Sequence, residues 1–329
     1  MPLRHIPSAN RQAAPDPRRA ADRIFSLVDM GKKAMPKNLV EREDGSLLVN
    51  KAVSSVAAVA DALPLSSEIS TLIDLEGRVI LDPPWKSAGA SVHIDAAIAA
   101  SSRAVGAGAH LIVVDPNAEP IPIRKGVAFQ YTRARLASLD PATFAVVDFD
   151  ADPNAKVSVS PRPVSEVEVD PDDMVSYAFA FQLNRRELKA TPPEHLAGEI
   201  LWPISMGLGQ VCDAAIFAEL SAQAPNPWAL GKAAAAGIPF GELRALVGTG
   251  GTGAQATEGA LFVDGIPAEL TADTAGTFVG AWSRAAIAIN PDINLLLKRT
   301  SAAGELEVTC WVDMKAYVPD ASKFWSVAP

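Results

Sequence analysis

A single long helix, predicted between Thr191 and Leu220, constrains the fold of this chain of 329 residues more than any other feature. Its start is marked by a capping box, in which Thr191 is the N-cap, Pro192 holds the first helical position and Glu194 comes three residues after the cap. Apolar residues then recur at spacings of three and four and predict one apolar stripe: Leu196, Ile200, Ile204, Leu208, Val211 and Ala215. Pro203, Gly207 and Gly209 predict a kink part-way along. About 29 residues at about 1.5 Å each give a rod of roughly 40 Å, which fits a spine better than a globule.

The last fifty residues predict a succession of short strands. Three apolar runs, Ala285–Ile289, Ile293–Lys298 and Leu306–Val312, are separated by the turn-forming segments Asn290-Pro291-Asp292 and Ser301-Ala302-Ala303-Gly304. Strands that follow a long helix in this way predict the α+β class.

A polar excursion lies between two further predicted strands. Gly126–Leu136 and Met174–Leu183 alternate between apolar and other residues. The segment between them, Asp140–Asp173, is rich in Pro and Asp and holds its own predicted strands at Phe144–Phe149 and Lys156–Ser160. Ordering so long a segment costs entropy that contacts must offset. We therefore expect an elongated hairpin arm that projects from the body of the protein.

The remaining segments give weaker patterns. Val53–Leu63 and His93–Val105 are rich in Ala and predict helices, whereas Leu111–Val114 predicts a short apolar strand. Ala224–Pro239 is punctuated by Pro and Gly and predicts a linker.

The net charge of −9 is unevenly distributed along the chain. Residues 1–37 contain eight Lys or Arg and three Asp, a surplus of five positive charges, so the rest of the chain carries −14. This pattern predicts a basic arm that contacts a polyanion or an acidic neighbour, with a solvated tail as the alternative. The candidate contact residues of the arm are Arg4, Arg11, Arg18, Arg19 and Arg23.

Two further features bear on the environment of the protein. No apolar run approaches the roughly 20 residues that span a bilayer, and the N-terminus lacks the apolar core of a signal peptide, so we expect a soluble protein in the cytoplasm. Cys212 and Cys310 are 98 positions apart and form no CxxC pair, which predicts buried free thiols rather than a zinc or thioredoxin site.

Three patterns resemble chemical sites, and each lacks a required part. Gly248–Gly253 matches G-x-G-x-x-G, but the six residues after it are too few for the helix of a dinucleotide site, so a surface loop is expected. Asp148–Asp152 begins a calcium-loop pattern that Pro153 interrupts. The four histidines are not paired at metal spacing, and no G-x-S-x-G elbow is present. We therefore predict no catalytic residue, no cofactor and no metal site.

Several short sequence motifs of the chain resemble those of tailed-bacteriophage major capsid proteins of the Hong Kong 97 type. The residues that carry the likeness in the last fifty positions are Gly280, Trp282, Ser283, Pro319 and Phe324. "FAFQLNRREL" from Phe179 resembles the strand that leads into the spine helix of that family, and Cys212–Ile216 resembles its "D-x-A-I" motif.

The resemblance implies a division of the chain into five regions. These are a basic N-arm (1–36), an axial-domain-like region (37–125), an extended E-loop hairpin (126–185), the spine helix (186–222), and the remaining axial linker with the peripheral-domain sheet (223–329). Only 57 residues separate Leu220 from Phe278, fewer than the family places there. This departure predicts a rearranged connectivity, such as the permuted topology of a Bordetella phage capsid protein.

The resemblance also implies a function. It describes a structural protein without catalysis that assembles as hexamers and pentamers into the icosahedral head of a tailed double-stranded DNA phage. The implied partners are other copies of the chain, a portal, cement or scaffold proteins and non-specifically contacted DNA, with no membrane; the implied location is the virion, after assembly in the host cytoplasm. Two alternatives remain open: an encapsulin-like nanocompartment shell, and a cytoplasmic nucleotide-binding enzyme that uses Gly248–Gly253.

Overall fold

A computed structural model of the chain describes residues 20–33, 39–41, 47–49, 58–70, 91–114, 121–124, 128–130, 135–145, 161–190, 193–299 and 305–328. The chain divides into two compact units. The first is drawn from Met1–Ser101, Ser176–Gly209 and Asn290–Asp313, and the second from Ser102–Val175, Gln210–Ile289 and Met314–Pro329. Both units contain helices and strands, which confirms the predicted α+β class.

The first unit is built on a long β-hairpin. Asp292–Arg299 pairs antiparallel with the first half of Leu306–Tyr317, and Ala58–Pro64 pairs with its other edge. Burial alternates along Leu306–Tyr317, as expected of a strand with one face in a core. The helix Ala20–Lys33 buries Ile24, Leu27 and Val28, and contacts these strands. The other elements are Leu39–Glu41 paired with Leu47–Val49, Glu68–Ser70 paired with Ser91–His93, Val175–Leu183 on Leu306–Tyr317, and the helices Ile94–Ser101 and Arg185–Ala190.

The second unit contains a six-stranded sheet. Its strands lie in the order Ala254–Thr257, Ala260–Val263, Ile266–Leu270, Arg244–Val247, Thr277–Gly280 and Phe324–Val327. Arg244–Val247 and Ile266–Leu270 are parallel, and the other neighbours are antiparallel. The sheet packs its buried residues, among them Val247, Val279 and Trp325, against the short helix Leu230–Ala235.

A second set of strands in this unit surrounds the root of the polar excursion. Ala286–Ile289 pairs with both His110–Val113 and the last residues of Leu306–Tyr317. Arg135–Leu139 pairs antiparallel with Val164–Glu168. Other elements here are the strands Ile121–Arg124 and Ala128–Gln130, the helix Arg103–Gly106, and the 3₁₀ turns Pro171–Asp173, Phe240–Glu242, Trp282–Arg284 and Ala321–Lys323.

The predicted long helix is confirmed as Pro193–Ala222, a helix of 30 residues that continues through Pro203. Its apolar stripe is buried except at Val211, which is partly exposed; the buried residues include Leu196, Ile200 and Ile204. The N-cap Thr191 lies outside the described residues, and the kink stays a prediction. The predicted strands at 111–114 and 174–183 and the predicted helix after His93 are also confirmed, within a few residues.

Two local predictions are wrong. Part of the predicted helix Val53–Leu63 is the strand Ala58–Pro64, because pairing with Asp292–Arg299 decides between helix and strand where an Ala- and Val-rich run permits both. The predicted linker Ala224–Pro239 contains the helix Leu230–Ala235, which an Ala-rich run forms before Gly237 (φ 69°) ends it. Phe144 and Ala145 are not in a strand, and residues 146–160 lie outside the described part of the chain.

The expectation that no segment approaches membrane-spanning length needs correction. Glu199–Ala222, within the long helix, is long and apolar enough by length and composition alone. Because 56% of its most apolar stretch is buried inside the protein, it also matches the core helix of a soluble protein, so this is weak evidence for a span.

Candidate functional site

The residues that carry the sequence resemblance converge in the second unit. Gly280 ends the strand Thr277–Gly280, directly opposite Phe324 at the start of the last strand. A Cβ atom on Gly280 would overlap the Phe324 ring, so only glycine allows the two strands to approach with this ring between them. Pro319 lies in the turn before Phe324, where the Asp320 carboxylate accepts a hydrogen bond from the Ser322 N–H at 2.9 Å.

Trp282 is the centre of this cluster and is fully buried. Its ring meets Phe217 and Phe324 edge to face, with centroids 5.9 and 5.5 Å away. The indole Nε1 donates a hydrogen bond to the Arg244 carbonyl at 3.1 Å. The side chain therefore combines a large buried apolar area with a satisfied donor.

A charged cluster lies beside the aromatic one. Arg284 Nε is 3.0 Å from Glu242 Oε1, and Arg284 Nη1 is 3.6 Å from Asp140 Oδ1. Ser283, the last residue of the motif, donates a hydrogen bond from its hydroxyl to the same Glu242 oxygen at 2.8 Å. Burial alone would raise the pKa of Glu242, but the hydrogen bonds from Arg284 and Ser283 together lower it below its usual value.

Lys323 completes the charged cluster and is only 5% exposed. Its Nζ is 2.9 Å from Asp140 Oδ1, an ion-pair distance whose angle departs from hydrogen-bond geometry. The same Nζ donates to the Ala236 carbonyl at 3.0 Å and is 3.8 Å from Asp320 Oδ2. A buried ammonium group thus joins three segments that are distant in sequence.

Asp213, in the "D-x-A-I" motif, caps a neighbouring helix. Its carboxylate accepts hydrogen bonds from the Ser102 hydroxyl at 2.6 Å and from the backbone N–H groups of Arg103 and Ala104 at 2.8 and 2.9 Å. These groups form the start of the helix Arg103–Gly106. Burial raises the pKa of Asp213, against the hydrogen bonds that lower it. The motif therefore has a structural role that its spacing alone did not reveal.

The glycine-rich segment Gly248–Gly253 is shaped by close approach of two backbones. Gly248 and Gly250 donate to the carbonyls of Gly276 and Ala275 at 3.0 and 3.1 Å, and a Cβ on Gly248 would overlap this second segment. The strand Ala254–Thr257 follows, rather than the helix whose N-terminus a dinucleotide site requires. The surface-loop interpretation fits this geometry, and the nucleotide-binding interpretation does not.

The predicted arm residues fall mostly outside the described part of the chain. Arg4, Arg11, Arg18 and Arg19 are among the residues that the structure does not describe. Arg23 lies in the helix Ala20–Lys33, and its guanidinium donates to the Ala62 carbonyl at 2.7 Å within the first unit. A contact of these arginines with a neighbour or DNA stays a prediction. Within the described ranges, no three His, Cys, Asp or Glu side chains converge as a metal site would require.

The prediction of buried free thiols is confirmed. Cys212 and Cys310 are both buried and unbridged. Burial raises the pKa of Cys212 to about 12 and that of Cys310 to about 11. Because the thiolate is the reactive form, both groups should be inert at neutral pH.

We expect the native chain at pH 8 to release no coloured product with a disulfide reagent such as Ellman's reagent over an hour. The same chain in guanidinium chloride should react at both thiols at once. Rapid reaction of either thiol in the native chain would contradict the burial of Cys212 and Cys310 described above.

No local sequence pattern predicts the charged cluster. Asp140 and Lys323 lie 183 positions apart, and Glu242 and Arg284 lie 42 apart, so no local pattern joins them. The one available signal was the position of Arg284 and Lys323 directly beside the motif residues Ser283 and Phe324.

Comparison with known proteins gives structural likeness only. No protein-family model matches the chain, and no curated protein matches its sequence. A chain of the capsid of an empty GTA particle is 12% identical, with 75% of this chain and 94% of that chain covered and a TM-score of 0.43. A chain of the satellite phage P4 procapsid is 10% identical, with 70% and 95% covered and a TM-score of 0.42. A chain of Mycobacterium phage Adephagia is 11% identical, with 69% and 90% covered and a TM-score of 0.43.

Proposed function

We propose that this chain is the major capsid protein of a tailed double-stranded DNA bacteriophage, a structural subunit with the Hong Kong 97-type fold. The observation that carries the proposal is the convergence of the motif residues. Gly280, Trp282, Ser283 and Phe324 carry the resemblance in the sequence. In the structure Gly280, Trp282 and Phe324 form one packed centre, and the exposed Ser283 beside it donates to Glu242. The residues that carry the family resemblance in the sequence are therefore also residues that determine the local fold.

Two further features support a shell subunit. The long helix Pro193–Ala222 gives a rod of 30 residues, and Asp213 near its end holds the start of another helix. The excursion between residues 140 and 173 begins and ends beside a pair of strands, Arg135–Leu139 with Val164–Glu168. A rod and an excursion both offer area for repeated heterologous contacts between copies, which closed shells require.

The proposed mechanism of the protein is geometric. Copies of one sequence would form hexamers and pentamers, with portal, scaffold or cement proteins as further partners in a virion. The basic residues 1–37 would neutralise phosphates of packaged DNA without reading its sequence, a contact that added salt weakens. The domain division given above, including the axial-like region before the hairpin, is part of this proposal.

Negative-stain electron microscopy of the purified full chain tests the proposal. We expect closed, roughly spherical shells, formed by the chain alone or on co-expression with a scaffold protein. A small soluble oligomer under both conditions, especially one that binds a nucleotide, would contradict the capsid function. Nucleic acid inside shells purified from infected cells would favour the phage function over a nanocompartment, which would hold protein cargo.

A further inference from the structure

The polar excursion has an outgoing limb, residues 140–145, and a returning limb, residues 161–173. Both limbs contact other residues of the second unit, and the two sets of contacts differ in kind. The contacts of the returning limb, 161–173, include apolar packing of Val167 and Val169 with Tyr317 and Ala288, and a hydrogen bond from the Asp170 N–H to the Tyr317 hydroxyl at 3.3 Å. They also include an exposed ion pair, in which Lys315 Nζ lies 3.5 Å from Asp173. In that ion pair the side chains are 33% and 66% exposed. An ion pair so accessible to water adds little stability.

The outgoing limb is held by two cations that are more buried than Lys315, on an Asp140 side chain that is itself 33% exposed. Asp140, its first residue after the strand Arg135–Leu139, meets Lys323 Nζ at 2.9 Å and Arg284 Nη1 at 3.6 Å. The Lys323 side chain is only 7% exposed and that of Arg284 only 19%. The Asp140 N–H also donates to the Pro163 carbonyl at 3.0 Å, which joins the outgoing limb to the returning one.

Both cations, Lys323 and Arg284, make further contacts besides the one with Asp140. Lys323 also donates to the Ala236 carbonyl and faces Asp320, and Arg284 is held by Glu242. Arg284 Nη1 also lies 3.4 Å from Ser138 Oγ and 3.5 Å from the Leu139 carbonyl oxygen, in the strand before Asp140. Lys323 is therefore positioned by contacts outside the excursion, and Arg284 by Glu242 and by that strand. Beyond Asp140, residues 141–145 are exposed, and Phe144 is 94% exposed, so few contacts of their own hold them.

We propose that Lys323 and Arg284 form an electrostatic latch on Asp140, which fixes the direction in which the excursion leaves the second unit. Loss of the latch frees residues 141–145, while the Asp140 N–H stays bonded to the Pro163 carbonyl and the returning limb stays in place. The inference rests on the proposed function for its purpose, because an excursion that contacts another copy of the chain needs a fixed direction. Buried pairs are screened weakly, so the latch holds at physiological salt.

Spin-label distance measurements on the unassembled full chain test the latch. Labels are placed through Phe144→Cys and Gln255→Cys; both positions are exposed, and the two natural thiols are buried. With the latch intact we expect a narrow distance distribution between the labels. Lys323→Met keeps the aliphatic stem but removes the charge, and should broaden the distribution at least about twofold, because Asp140 then keeps only the longer contact with Arg284, at 3.6 Å.

Lys315→Met is the matched control, because Lys315 also pairs with an aspartate of the excursion but at an exposed site. It should leave the distribution unchanged. Asp140→Asn removes the charge of the more exposed partner, and it replaces Lys323→Met in the test if that variant does not fold. A narrow distribution in a folded Lys323→Met or Asp140→Asn chain would overturn the latch. Failure of the unmodified chain to form shells both alone and with a scaffold protein would overturn the proposed function and leave this result standing.

Discussion

Replacing Trp282 by alanine is expected to lower the free energy of unfolding by about 3–5 kcal/mol, the range for removing a large aromatic side chain from a core. The loss has two parts. The void would remove the edge-to-face contacts with Phe217 and Phe324, and the Arg244 carbonyl would lose the indole donor. Urea unfolding of the unassembled chain, followed by circular dichroism, measures the change.

Two variants separate these contributions. Trp282→Phe keeps an aromatic ring and removes the N–H donor, so it should lower the stability by about 1–3 kcal/mol. Trp228→Ala is the matched control: Trp228 lies in the same unit and contacts Trp325, but it is half-buried and its Nε1 donates at an exposed site to Asp264. We expect a smaller loss there. An effect of Trp282→Ala equal to that of Trp228→Ala would contradict the central role of the motif.

The sequence predicted elements whose signals are local. The long helix was predicted from apolar residues at spacings of three and four. The strand Val175–Leu183 was predicted from the alternation of apolar residues with other residues. Both patterns follow from the geometry of a single element. Ala58–Pro64 shows the limit of such signals, because its Ala-rich sequence permits helix or strand, and a partner more than 200 positions away decides.

The motif residues could be identified from the sequence, but the physical reasons why those positions require those residues could not. Gly280 is required by the Phe324 ring on the neighbouring strand, and Gly248 by the backbone near Gly276. The glycine run that matched a nucleotide fingerprint therefore reflects the packing of two backbone segments. A glycine run can serve nucleotide binding or the close packing of two backbone segments, and only the pairing of distant strands distinguishes the two.

The charged cluster was beyond sequence reasoning for a further reason. Lys323 and Asp140 are ordinary surface residues by type, and Lys is rarely buried unless it is paired. Nothing local shows that the Lys323 side chain is covered. Its burial follows from the meeting of the turn before Phe324, the carbonyl of Ala236 and the root of the excursion.

Asp213→Ala is the second substitution with a large expected effect, a loss of about 2–4 kcal/mol in the free energy of unfolding. The substitution removes the acceptor of three hydrogen bonds, and leaves the Ala104 N–H and the Ser102 hydroxyl in a buried place without that partner. Asp95→Ala is the control, since Asp95 accepts from Ala96 N–H at an exposed helix start. We expect less than about 1 kcal/mol there, within the usual range for capping residues.

The pH dependence of Asp213→Asn distinguishes the charge of the carboxylate from its hydrogen bonds. Burial raises the pKa of Asp213 above the unfolded value of 3.8, so the folded chain binds the proton more tightly. The contribution of this group to stability is therefore full below pH 3.8 and is lost as the pH rises through the folded pKa. Asparagine has no such titration and presents an amide to the Arg103 N–H, so the variant should be less stable than the natural chain at every pH. The deficit should shrink as the pH rises from about 3.8 through the folded pKa. A deficit that grows with pH would show that the hydrogen bonds outweigh burial and hold the pKa of Asp213 down.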